Sequence, residues 1–295
     1  MPDNRFNGTG VALVTPFDDR LNIDFKAFEK VLNHMVSGNV DYFVVQGTTG
    51  ESVTVTENEK KDLLHFVHSF NFGKPVVFGM GGNDTLNILE ALDKYTGEKI
   101  DAILSVCPYY NKPSQAGLIN HFTMIADRSP FPVILYNVPG RTSVNLTAES
   151  VQVLSQHSKI IGIKEASGNF SQCADIARLC NKEFLLISGD DLFTIPMITV
   201  GAAGVISVLA NALPGNMTRM VNYALKSDYK KAASEMFILS GINPLMYSEG
   251  NPPGVKFLME ILGLCSRNVR PPLAPVSESL QKKIRDELKK IPSSA

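Results

Sequence analysis

Ile160-Ile161-Gly162-Ile163-Lys164-Glu165-Ala166-Ser167-Gly168 decides how this chain reads. Three isoleucines around one glycine run without a polar break into a lysine, a glutamate and a small-residue turn. A short, unbroken β-branched run fits a strand buried on both faces, which is the habit of parallel sheets. Seven more such runs recur along the chain, at Thr9–Pro16, Tyr42–Gln46, Pro75–Gly79, Ala102–Cys107, Pro132–Asn137, Leu185–Ser188 and Gly204–Val208. Segments of helical length lie between them. Phe25–Val36, Glu57–Ser69 and Leu86–Tyr95 carry apolar residues at three- and four-residue spacing. Thr56 and Asp84 stand where N-caps belong, with Glu59 and Asn87 three residues on.

Eight strand–helix units predict an α/β chain folded as a (β/α)8 TIM barrel over residues 1–226. A doubly wound open sheet is the weaker alternative, because no GxGxxG follows the first run. From about Ser227 the pattern turns to helices alone, at Asp228–Ser240, Val255–Leu262 and Ser277–Lys290. Residues 227–295 are therefore expected to form a C-terminal helical domain.

The chain has 295 residues, 44% of them hydrophobic, enough for a large core. Lys plus Arg number 28 against 29 Asp plus Glu, so the basic excess of a nucleic-acid binder is missing. Four scattered cysteines, Cys107, Cys173, Cys180 and Cys265, form no CxxC pair, which argues for reduced thiols and a cytoplasmic setting. The N-terminal MPDNRFNGTG has no apolar signal region. The uncharged stretch between Asp191 and Arg219 is broken by Pro196, Gly201, Gly204, Asn211 and Pro214, so we read a buried helix, a buried strand and a turn, with no membrane span. All five histidines, His34, His65, His68, His121 and His157, fall in segments read as helical, and no HExxH accompanies them. No metal site is expected.

In such a barrel the chemistry sits at the C-terminal ends of the strands. Lys164 directly follows Ile163, so its backbone remains in the strand. Desolvation there lowers an amine's pKa, and a partly neutral lysine can attack a ketone to form a Schiff base. Pairing with Glu165 is the bland alternative. Tyr136 ends the preceding strand and could pass protons at the same mouth. Thr48 and Thr49 lie in a glycine-bracketed turn whose N–H groups could hold a carboxylate. Arg141, in a loop on the same face, could clamp another. Cys107 lacks an activating histidine and reads as a core thiol.

GVALVTPF, GTTGES, CPYYNKPSQ, YNVPGRT, GIKEASG, SGDD and GVISVLAN occur in that order. In these motifs the sequence resembles the dihydrodipicolinate synthase family, within the wider N-acetylneuraminate lyase superfamily of class I aldolases. The resemblance spans nearly the whole chain. It implies a homotetramer built as a dimer of dimers, with no cofactor. It implies that Lys164 condenses with pyruvate and that Tyr136, Thr48 and Tyr110 relay protons, Tyr110 within the neighbouring subunit's site. Thr48 and Thr49 would hold the pyruvate carboxylate, and Arg141 that of L-aspartate 4-semialdehyde. Gly189 and Ile206 would line the pocket, and Tyr109 would stand at the tight-dimer interface. A lysine-effector site would involve Ser52, Asn83 and Tyr109, with Val53, Glu57, Lys60 and Asn87 around it. Glu57, Lys60 and Asn87 depart from the pattern of lysine-inhibited members, so lysine inhibition is expected to be weak or absent. A sister lyase acting on N-acetylneuraminate or a keto-sugar acid is the alternative activity, and Arg141 argues against it.

Overall fold

The computed structural model describes residues 4–70 and 72–292. Eight parallel strands pair in sequence order and close, β8 against β1. The chain runs β1 (Gly8–Ala12), α1 (Phe25–Ser37), β2 (Tyr42–Val45), α2 (Glu57–Ser69), β3 (Val76–Gly79), α3 (Thr85–Asp93), β4 (Ala102–Val106) and α4 (Gln115–Arg128). It continues through β5 (Val133–Asn137), a one-turn α5 (Pro139–Thr142), α6 (Ala148–Leu154), β6 (Ile160–Glu165), α7 (Phe170–Leu179), β7 (Leu185–Ser188), α8 (Thr194–Thr199) and β8 (Gly204–Ser207). Helices α9 (Pro214–Leu225), α10 (Tyr229–Leu239), α11 (Pro253–Ile261) and α12 (Glu278–Leu288) follow. The (β/α)8 barrel expected from the strand rhythm is the fold observed.

Two apolar layers hold it. The inward positions, among them Ala12, Tyr42, Val44, Val77, Leu104, Ile134, Tyr136, Ile187 and Ile206, fill the barrel. The outward positions pack against the helices as a second, larger cluster. Phe6 plugs the N-terminal end, its ring edge-on to Tyr42 with centroids 5.5 Å apart. The helix starts are chemically fixed. Thr56 and Glu59 form a reciprocal capping box, and the Asp84 carboxylate accepts from the backbone N–H groups of Leu86 and Asn87.

Several expectations need correction. The first strand stops at Ala12 rather than Pro16, because the Val14 N–H turns to the Asn211 side chain (3.0 Å) and Pro16 has no N–H. Arg141 sits on α5 rather than in a loop, with Pro139 in the first turn. His157 lies in the turn after α6, where its ring accepts from the Lys159 N–H. The uncharged stretch does hold the expected helix, strand and turn, as α8, β8 and a short 3-10 turn before the start of α9. No helix among the described residues is long and apolar enough to cross a membrane.

Candidate active site

Strands β5 and β6 end side by side, with Tyr136 paired to Lys164 and Asn137 to Glu165. Side chains alternate along a strand, so Lys164 and Tyr136 share the inner face. The Lys164 ammonium lies 4.6 Å from the centroid of the Tyr136 ring. Lys164 is only 5% exposed. Burial is the main cause that brings its pKa down to about 8; Arg141 adds to the fall, and Asp191 opposes it. The bland pairing with Glu165 does not occur, because that carboxylate faces the outer layer and accepts from Asn137, Gln172 and the Ser167 N–H.

A cavity of about 570 Å3 opens over Lys164. Thr48, Thr49, Tyr136, Arg141, Lys164 and Gly189 all line it. Burial raises the pKa of Tyr136, while Arg141 and a hydrogen bond with Thr48 work the other way. The Gly47–Gly50 segment turns as a 3-10 element, so Thr48 and Thr49 stand at its tip. Gly189 is required by space. A Cβ there would stand 2.6 Å from Ala166 Cβ and 3.1 Å from Lys164 Cε. Ile206 lies fully buried in the inner core, and Val208 rather than Ile206 lines the cavity. Tyr110 does not enter the cavity. It has a positive φ of 74° and is 88% exposed. Cys107 is buried, and desolvation pushes its thiol up to about 12, so it is no nucleophile.

Sequence reasoning missed part of the wall. Tyr247, Asn243 and Asn251, all beyond β8, line the same cavity. Asn251 donates to the Thr49 hydroxyl at 3.0 Å. Tyr247 donates to Asp191 at 3.3 Å, and burial holds that carboxyl above its ordinary pKa. No local pattern marks these residues, because they reach the mouth only through tertiary packing. A second buried contact ties the same regions. Lys256 Nζ meets Glu51 Oε1 at 2.5 Å with both side chains sealed from solvent. The other Glu51 oxygen accepts from the Arg270 N–H.

A groove of about 540 Å3 adjoins the mouth and shares Thr48, Tyr136 and Arg141 with it. Ser52, Asn83 and Tyr109 line it together with Val53, Glu57, Lys60 and Asn87. Lys60 pairs with Glu57 at 2.6 Å, and Asn87 donates to Asp84 at 2.8 Å. Among the described residues no group of three or more His, Cys, Asp or Glu is placed to hold a metal ion.

The profile of the Dihydrodipicolinate synthetase family matches residues 5–291. The 4-hydroxy-tetrahydrodipicolinate synthase of Cytophaga hutchinsonii is 46% identical over 287 residues, 97% of each chain. A monomeric dihydrodipicolinate synthase variant superposes with a TM-score of 0.94 at 32% identity, over 97% of each chain. The dihydrodipicolinate synthase of Cyanidioschyzon merolae solved with lysine bound gives 0.92 at 34% identity, over 97% of this chain and 98% of that one. Fold, motif order and full-length similarity agree, and the chain belongs to the dihydrodipicolinate synthetase family.

Proposed function

We propose that this chain condenses pyruvate with L-aspartate 4-semialdehyde to give 4-hydroxy-tetrahydrodipicolinate, a step of lysine and diaminopimelate biosynthesis. Relatives named for that synthase at 40–46% identity support the reading over a sugar-acid lyase. The observation that carries it is Lys164, a buried amine with its pKa brought down to about 8 in a cavity bearing two threonines, two tyrosines and an arginine.

The chemistry follows from those groups. The Lys164 amine attacks the pyruvate ketone, and the carbinolamine loses water to become an imine. Loss of a methyl proton gives an enamine, whose carbon attacks the aldehyde. The substrate's own amine then adds to the imine carbon and expels the lysine. Tyr136 and Thr48 carry protons between these steps, with Tyr110 supplied by a second subunit. Thr48 and Thr49 hold the pyruvate carboxylate, and Arg141 takes that of the semialdehyde. Ser52, Asn83 and Tyr109 form an effector groove that Lys60 also lines, its ammonium standing where a cationic ligand would have to fit. The working form is a homotetramer, a dimer of dimers, in the cytoplasm.

The test is pyruvate consumption by the purified protein with and without L-aspartate 4-semialdehyde. Saturable loss that requires the aldehyde is expected. Absence of loss under both conditions overturns the reading. Activity is expected to persist in millimolar L-lysine, and half-maximal inhibition at submillimolar L-lysine would refute the reading of the groove.

A further inference from the structure

We propose that Gly162, Asn137 and Glu165 are positioning residues that set and lock the phase of β6, so that Lys164 faces into the barrel beside Tyr136. This rests on the Schiff-base reading of Lys164.

Side chains along β5 alternate regularly. Val133 and Leu135 join the outer core, Ile134 and Tyr136 the inner one, and Asn137 faces out. Strand β6 does not alternate regularly. Ile160 lies in the outer core and Ile161 packs against the inner one, so an unbroken period of two would put Ile163 inside and Lys164 outside. The observed order is the reverse, with Ile163 in the outer core and Lys164 lining the cavity. One extra residue makes the difference. Val133 pairs with Ile160, yet the next residue, Ile134, pairs with Gly162. This is a bulge, and bulges re-aim the side chains that follow them. Gly162 fits there because its backbone runs against β7. A Cβ would come 2.5 Å from the Leu185 carbonyl oxygen and 2.6 Å from Leu185 Cβ.

A bulge corrects the phase but does not hold it, since a strand that slips one residue turns every side chain over. The outer face supplies the lock. Asn137 Nδ2 donates to Glu165 Oε2 at 2.9 Å, joining the residues that directly follow Tyr136 and Lys164. Gln172 on α7 donates to the same oxygen at 3.0 Å, and the Ser167 N–H donates to the other at 2.6 Å. Asn137 Oδ1 accepts from the Leu146 N–H at 3.0 Å, and Asn145 bridges Asn137 to Gln172. A sealed network of this kind tolerates one geometry well and the slipped one badly, because slippage strands a buried carboxylate without donors.

The test is a swap of partners. Asn137→Asp sets two carboxylates face to face, and Glu165→Gln turns an NH2 donor either on the Ser167 N–H or on the Asn137 and Gln172 amides. The double variant restores an amide-to-carboxylate bond in the opposite sense, and the Asn145 and Gln172 amides can flip to follow it. Two readouts are taken, the rate of borohydride-trapped pyruvate adduct and the titration of Lys164 after methylation with 13C-formaldehyde. Each single variant is expected to form adduct about tenfold or more slowly with little change in pyruvate KM, since an ångström of misplacement costs up to about a hundredfold. Its Lys164 should titrate upward toward an ordinary lysine. The swap should recover the wild-type rate within about threefold, well inside that loss, together with the wild-type titration. Single variants at wild-type rate and titration overturn the proposal, as does a swap that stays slow or fails to fold. Where a single variant fails to fold, the swap decides. The titration needs no substrate. Wild-type protein without adduct would therefore sink the Schiff-base reading, while the lock is still judged on Lys164.

Discussion

At the scale of the residue, Lys164 is a lysine kept poor in water. Its pKa of about 8 lies below the 10.5 of a free side chain because burial penalises the ammonium. The neutral amine is the nucleophile, so the rate of imine formation must rise with pH and level off above the folded-state pKa. Trapping with borohydride from pH 6 to 9.5 is expected to climb about tenfold per unit at the low end and flatten past about 8. A profile that keeps climbing through pH 9.5 would show an unperturbed lysine. Gly189 is the steric counterpart of that lysine. Gly189→Ala would force a methyl against Ala166 and crowd Lys164 Cε, so adduct formation should fall at least about tenfold by displacement of the amine. Circular dichroism should show the barrel intact. Lys164, Tyr136, Thr48, Thr49 and Arg141 were legible in the sequence because each lies at a strand end or in the first turns after one, where chain position places it at the mouth end of the barrel. Asn243, Tyr247 and Asn251 were not legible, since only the packing of distant helices brings them there.

At the scale of the element, the strands were easier to read than their limits. Continuous apolar runs announce buried parallel strands, but hydrogen bonding ends them, as at Val14, where a side chain takes over the ladder partner. The bulge in β6 was hidden, because it shows only in the pairing with β5, and the room a Cβ would lack at Gly162 is set by Leu185 on another strand. The turn after β2 depends on elements far along the chain. Glu51 adopts a left-handed φ of 56° and is held by Lys256 of α11 and by the Arg270 N–H. A buried ion pair gains little over a well-packed apolar pair, yet removing one partner is costly. Lys256→Met is therefore expected to lose about 3–5 kcal/mol of stability. Adding Glu51→Gln should recover at least half of it, read from urea unfolding midpoints. Equal loss in the single and double variants would mean that packing around Lys256 matters more than its charge.

At the scale of the whole molecule, the barrel presents side chains that its own mouth does not use. Tyr110 is 88% exposed and Val53 81%, on loops beside the groove. The assignment of Tyr110 to a neighbour's site makes a sharp demand. Lys164→Ala and Tyr110→Phe subunits, each weak alone, should restore activity when unfolded and refolded together. Random pairing makes half the dimers mixed, each with one intact site, so about a quarter of wild-type activity is expected for a two-fold interface. No gain on mixing would place Tyr110 outside the chemistry.

The bond between Asn251 and Thr49 joins residues 202 positions apart, and the Glu51–Lys256 pair spans 205. A ribosome adding roughly 5–20 residues per second needs about ten to forty seconds to travel from one to the other. A nascent chain can thus carry all eight strands, with its lysine in place, while the turn that would receive a substrate carboxylate still waits for its brace. Completion of that turn comes late in synthesis, and a message cut short after β8 would leave Thr49 and Glu51 without these two partners even where the barrel had closed.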